Sequence, residues 1–377
     1  MKIAVLTLPL ETNYGGILQA YAMQQVLKGM GHDVVTIQEP LYYFPWWKRP
    51  LAYAKRFLQK YVLKKTGIKA IFHENRRKKF LFQISHEMRP FIESRIQKCD
   101  LIEVKRRKDQ YSAIVVGSDQ VWRPKFYTLG YKKMENAFLA FAKDWNIKRV
   151  AYAASFGTDE WEYDPAQTFT CKELVKKFDA VSVREKSGVN LCQKYLDVKA
   201  KWVLDPTMLL NVSHYVSLFE KEKIEPSKGN LFVYVLDKCE DTEQIEKKII
   251  GTFSLRPFYT STDDARALLE ARIATKPETW LRSFYDAEFI LTDSFHACVF
   301  SILFNKPFVI YGNQERGMTR FNSLLSLFNL QNRLISSKTT NLEGVLHTPI
   351  DWNAVNEILE KQRVDSKRFL LNALEGK

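Results

Sequence analysis

Residues 113–122 read AIVVGSDQVW. Ala113, Ile114, Val115 and Val116 form an apolar run without polar alternation, the pattern of a short strand in a parallel sheet covered on both faces. Gly117 ends the run, and Ser118, Asp119, Gln120 and Trp122 follow it. Open α/β sheets build their sites in the crevice beyond the carboxyl ends of the strands. Hydrogen-bonding side chains packed directly after a buried strand therefore mark a candidate site. The Asp119 carboxylate, beside Gln120, can orient a sugar hydroxyl there, and the Trp122 indole can stack on a sugar face. The competing reading of Asp119 is a cap for the next turn.

The same grammar recurs on both sides of this stretch. Lys2–Leu8 reads as a strand, Asn13-Tyr14-Gly15-Gly16 as the mouth of a helix reaching about Gly29, and Val34–Ile37 as a second strand. The spacing is not G-x-G-x-x-G, so dinucleotide binding is poorly supported. Free backbone N–H groups at a helix N-terminus attract anions, and Asn13 and Tyr14 add side-chain donors. Strands at Arg149–Ala154, Ala180–Val183 and Lys201–Leu204 follow. Arg184 ends the second of these, and its fork suits a carboxylate or phosphate, although a structural ion pair would use it equally. Asp205-Pro206-Thr207 reads as a helix start, with Asp as cap and Pro in the first turn.

The charged stretch 220–230, with Pro226 and Gly229, marks a boundary. Beyond it, Leu231–Leu236, Arg256–Tyr259, Glu288–Leu291 and Pro307–Tyr311 read as a second set of strands. Thr292-Asp293-Ser294-Phe295-His296 leads from one of them into a helix. A histidine at such a junction can face a cleft and move protons near neutral pH. Arg316, Arg320 and Arg333 follow, and Arg316 and Arg320 are candidates to bind an anion. The predicted fold class is α/β: two Rossmann-like domains facing a cleft. They span 1–225 and 230–345, with a basic helical insertion at 41–110 and a C-terminal helix at 350–377 packing across the hinge.

Composition narrows the function classes. The chain has 377 residues and a net charge of +14. Residues 41–110 hold 19 of the 57 basic residues against 6 of the 43 acidic ones, so nearly the whole surplus sits there. Aromatic residues are interleaved with that charge. A basic face with aromatic anchors can lie on an anionic bilayer, a solvated helical face is the plainer reading, and nucleic acid has no motif behind it. No apolar run approaches the roughly 20 residues of a membrane-spanning helix, and no signal peptide is read at the N-terminus. Five scattered cysteines without a Cys-x-x-Cys fit a reducing cytoplasm and no disulfide framework. No His/Cys/Asp spacing matches a metal-ligand set, so neither metal nor cofactor is expected.

Taken in order, KIAVLT, NYGGILQAYA, AIVVGSDQVW, AYAASFG, VSVRE, VLDPT and LTDSFHACVFSILFNKPF resemble the polysaccharide pyruvyl transferase family. The resemblance runs from Lys2 to about Arg333. It implies a fold similar to the two-domain glycosyltransferase type called GT-B. It also implies transfer of pyruvate from phosphoenolpyruvate onto a sugar, often as a ketal bridging two hydroxyls. The implied acceptor is a glycan precursor, lipid-linked and met at the inner face of a bacterial membrane. That would make the enzyme cytoplasmic and give 41–110 a peripheral membrane contact. Under this reading His296 and Asp119 are catalytic, and Tyr14, Gln120 and Trp122 meet the acceptor. Arg184, Asn13, Gly15, Gly16, Ser294, Arg316 and Arg320 meet the donor. Some members carry a donor-holding arginine two residues before the histidine. Here that position is Ser294, which leaves Arg316 or Arg320 to compensate. The rivals are a nucleotide-sugar glycosyltransferase on the same fold and a non-catalytic glycan-binding protein.

Overall fold

A computed structural model describes residues 1–38, 47, 49–63, 71–130, 133–260, 272–312, 318–336 and 341–376. Seven strands form the first sheet: β1 Lys2–Leu6, β2 Asp33–Gln38, β3 Lys98–Asp100, β4 Ala113–Val116, β5 Lys148–Ala154, β6 Ala180–Val183 and β7 Lys201–Trp202. Their order is β3-β2-β1-β4-β5-β6-β7, with every pairing parallel. Five more form the second: β8 Leu231–Tyr234, β9 Pro257–Phe258, β10 Phe289–Thr292, β11 Phe308–Tyr311 and β12 Leu334–Ile335. Their order is β12-β11-β10-β8-β9, again all parallel. The chain is thus α/β, with two Rossmann-like domains facing a cleft.

The central strands are apolar because both their faces are covered. Ile3 and Val5 of β1, with Ala113 and Val115 of β4, enter the core lying toward the second domain. Ala4, Leu6, Ile114 and Val116 alternate into the core on the far side. The first of these cores is shared. It runs from Ile17 and Leu18 on the helix Tyr14–Gly29 to Trp280, Phe284 and Phe300 of the second domain. A buried apolar seam of that kind fixes the two sheets relative to one another.

The insertion is not purely helical. Lys98–Asp100 pairs in parallel with Thr36–Gln38 and forms the edge strand β3. Three residues are too few to show a periodicity, and their pairing is set by tertiary contact. The helices Arg49–Phe57 and His73–Ile84 precede it. The C-terminal helix Trp352–Glu375 returns to the first domain. Its Arg363 donates to the Met208 carbonyl at 2.8 Å, and its Ser366 hydroxyl accepts from Leu204 N at 3.1 Å. No helix of the described residues is long and apolar enough to cross a membrane.

Candidate active site

A cavity of about 500 Å³ lies between the two sheets. Each domain's strand order reverses at one point, between β1 and β4 in the first and between β10 and β8 in the second. The cavity is lined from all four strand ends: Asn13 after β1, Asp119 and Gln120 after β4, Asp237 after β8, and Asp293–His296 after β10. This is where open α/β sheets bind ligands, and here two such points confront each other.

His296 sits in the first turn of the helix Phe295–Leu303, and its side chain is almost fully buried. Its ring rests on Gly15. A Cβ at Gly15 would lie 1.8 Å from His296 Nδ1, so the first domain's helix leaves out a side chain to admit the second domain's imidazole. On the other edge of the ring, Nε2 lies 3.5 Å from Arg184 Nη1 and 3.5 Å from Asp205 Oδ2. Arg184 donates to Asp205 at 2.7 Å and lies 3.5 Å from Asp119 Oδ1. Four groups from two domains thus form one chain: Asp119, Arg184, Asp205 and His296.

Asp205 is the residue to which sequence reasoning gave only a capping role. Its Oδ1 accepts from the Thr207 N–H at 3.0 Å and the Thr207 hydroxyl at 2.7 Å, which is the capping role expected of it. Its Oδ2 has a second life, accepting from Arg184 and from the Ser118 hydroxyl at 3.1 Å while facing His296. Burial by itself would raise the Asp205 pKa. The His296 imidazole and then the Arg184 guanidinium outweigh it and hold the carboxyl well below the ordinary range. Arg184 is opposed by burial too, but Asp205 and Asp119 keep its pKa above the ordinary value.

This arrangement tolerates two charge states of the ring. When neutral, Nε2 can accept from Arg184, leaving the proton on Nδ1. When protonated, Nε2–H faces the Asp205 carboxylate. A group that must both give and take a proton needs such an environment.

Asp119 is held by its own loop. Its Oδ1 accepts from Gln120 N at 2.9 Å, and its Oδ2 lies 3.4 Å from the Asn13 amide. The loop is braced below by buried Gln19, whose Oε1 accepts from Ser118 N at 2.9 Å and whose amide donates to Thr7 at 2.8 Å. Gly117 has φ 126°, and a Cβ there would meet the Tyr152 carbonyl at 2.0 Å. Only glycine lets β4 turn sharply enough to lift Asp119 into the cavity.

Several expected roles change. Trp122 is fully buried, stacks on Phe138 at 4.8 Å and donates its indole N–H to the Ala137 carbonyl at 3.1 Å. No face of the ring is left for a sugar. Arg184 lies beneath the cavity lining, clasped by two carboxylates, so it organises His296 and is not itself presented to a ligand. Tyr14 lines the cavity, but its ring stacks on Trp280 at 5.1 Å and its hydroxyl donates to the Thr275 carbonyl at 2.9 Å. It ties the domains together. Gln120 lines the cavity with its carbonyl oxygen accepting from Arg123 at 3.1 Å. Arg333 is buried and donates to the Val345 and Thr348 carbonyls. Arg316 lies outside the described residues.

Asn13, Gly15, Ser294 and Arg320 line the cavity, and Gly16 lies just behind Asn13 and Asp119. Burial, and then repulsion from Arg184, pulls the Arg320 pKa down to about 10. An anion in the cavity would oppose both effects. Lys125 and Arg272 also line it, and neither was singled out by the sequence. Arg272 stacks over Phe80 of the insertion at 4.5 Å, a contact between segments nearly two hundred residues apart that no local pattern announces.

A search of curated proteins returned no match. Solved structures similar to this chain include a UDP-GlcNAc 2-epimerase from Neisseria meningitidis bound to UDP-GlcNAc, at 9% identity and TM-score 0.49, with 100% of each chain covered. A glycosyltransferase from Rickettsia africae is similar at 9% identity and TM-score 0.47, over 99% of this chain and 94% of the other. The family model for polysaccharide pyruvyl transferase matches residues 13–315, from the helix mouth at Asn13 past the junction that carries His296. The chain belongs to the polysaccharide pyruvyl transferase family, transferases of polysaccharide biosynthesis.

Proposed function

We propose that the cleft transfers pyruvate from phosphoenolpyruvate to hydroxyls of a sugar acceptor and closes a ketal. The observation that carries this reading is one cavity in which the His296 imidazole, the Asp119 carboxylate and three cations, buried Arg320, half-buried Arg272 and exposed Lys125, converge. Phosphoenolpyruvate bears a carboxylate and a phosphate, and it needs cationic partners. Arg320, Arg272 and Lys125 serve as those partners, aided by the Asn13 amide and by Ser294 with the N-terminus of the helix it precedes.

In this mechanism Asp119 orients an acceptor hydroxyl and takes its proton. The hydroxyl oxygen attacks C2 of the donor as His296 delivers a proton to C3. Phosphate departs with the C2–O electron pair and carries off the proton held by Asp119, and a second hydroxyl adds to C2, losing its proton to the now neutral His296 imidazole. The net products are the ketal and inorganic phosphate. Arg184 and Asp205 touch neither substrate. They hold the ring and balance its charge in both states. All five cysteines are unpaired thiols, which supports a cytoplasmic setting.

The test is to incubate the purified protein with phosphoenolpyruvate and a panel of free and lipid-linked glycans. Phosphate release and product mass are followed together. The expected result is stoichiometric phosphate with a pyruvyl mass increment on one acceptor. Release of a nucleoside diphosphate from a nucleotide sugar, or donor binding without turnover across the panel, would overturn the reading.

A further inference from the structure

Helices in folded proteins owe most of their stability to an apolar face packed against something. The helix Arg49–Phe57 packs weakly by that measure: none of its nine residues is fully buried, and its Tyr53 is set edge-on to Phe72 at 5.0 Å. The turn Leu58–Val62 that continues it has no fully buried residue either. Among the described residues, nine of the seventeen large apolar side chains that stand exposed fall between Trp47 and Phe82. Leu51 is 75% exposed, Val62 61% and Phe57 53%. Nearby, an apolar hollow of about 780 Å³ opens between Phe72 and Phe82, with Arg76 and Lys79 on its border. An apolar patch this concentrated marks a docking surface.

Its charge selects the occupant. Residues 49–63 carry Arg49, Lys55, Arg56 and Lys60 and no acidic residue. A second copy of this chain would bring the same positive field against it, the whole protein being +14. A nucleic acid would answer the charge but offers no apolar interior for Leu51, Leu58 and Val62. An anionic lipid surface answers both, with aliphatic and aromatic side chains at the acyl boundary and lysines reaching the headgroups.

We infer that the described residues 47, 49–63 and 71–82 form a peripheral docking surface for an anionic bilayer. The same insertion walls the cleft, since Ile84 lines the cavity and Phe80 carries Arg272. A lipid-borne sugar would therefore reach the site from the membrane side. That last consequence rests on the proposed pyruvyl transfer; the docking does not.

The test pellets the full-length protein with vesicles of phosphatidylcholine, alone or mixed with phosphatidylglycerol, in low and high salt. Partition onto the mixed vesicles should exceed that onto neutral ones by about tenfold or more, and salt should weaken it. Lys55→Glu/Lys60→Glu should abolish the difference, and Leu51→Ser/Phe57→Ser should cut binding by about tenfold, both at the parent thermal midpoint. Equal binding to neutral vesicles, parent-like pelleting of both variants, or Leu51→Ser/Phe57→Ser splitting a dimer in light scattering would each overturn the inference. A parent protein that does not partition onto the mixed vesicles, with its pyruvyl transfer intact, sinks the docking alone. The converse result sinks the reaction alone.

Discussion

The cleft and the insertion are both rich in positive charge, and they use it in opposite ways. In the cleft, Arg184 is buried and clasped between Asp205 and Asp119. In the insertion, Lys55 and Lys60 stand exposed on a helix and turn in which no residue is fully buried. A buried, paired charge sets geometry, and breaking its pair is costly. An exposed one acts at a distance, is screened by salt, and contributes little to folding. Net charge alone would have directed attention to the insertion, whereas the proposed reaction draws on groups whose charges nearly cancel.

The sharpest way to break this contrast is His296→Asn. Pyruvyl transfer should fall by about 10² to 10⁴ with little change in denaturation midpoint; parent-like turnover would remove the imidazole from the mechanism. Asp205→Asn comes next. It should cost about 3–5 kcal/mol in urea denaturation, because Arg184 is left buried with one carboxylate fewer, and it should also depress turnover. Its pH dependence is a further check. The folded carboxyl titrates below its ordinary value, so its stabilisation is complete above that value and fades as pH falls through and below it. The stability gap between parent and Asp205→Asn should therefore be constant near neutrality and shrink below about pH 4.

Gly15→Ala sharpens the point from the other side. The added methyl needs space that the His296 ring occupies, so turnover should drop by about 10² through misplacement of the ring. Arg320→Lys should raise the phosphoenolpyruvate KM by about tenfold at nearly constant kcat if the guanidinium grips the donor as a fork. The smallest effect belongs to the insertion: Lys55→Glu/Lys60→Glu should change unfolding free energy by no more than about 0.5 kcal/mol and leave transfer to a soluble acceptor unchanged.

Much of this was legible before any coordinates. The four-residue run at β4, buried on both faces, announced a parallel sheet, and the polar residues after it announced the cleft wall. His296 was visible because it follows a strand and opens a helix. Asp205 was half visible. Its local role as a cap is a matter of three consecutive residues, while its partnership with Arg184 and His296 spans 21 residues one way and 91 the other. Trp122 misled for the converse reason: position relative to a strand can be read, but which way a large ring turns is decided by neighbours such as Phe138 and Ala137. The edge strand Lys98–Asp100 hid inside a basic segment whose composition says helix.

Tyr14 and Gly15 are consecutive, and both meet the opposite domain, one stacked on Trp280 and the other supporting His296. The imidazole travels with one half of the molecule and its carboxylate partner, Asp205, with the other. Any hinge motion that admits bulky cargo must therefore peel an indole from a phenol and part the imidazole from Asp205 in the same stroke. Under the proposed transfer the gate and the trigger are one part, so a molecule caught ajar would also be disarmed, and the donor waiting inside it would not be squandered on water.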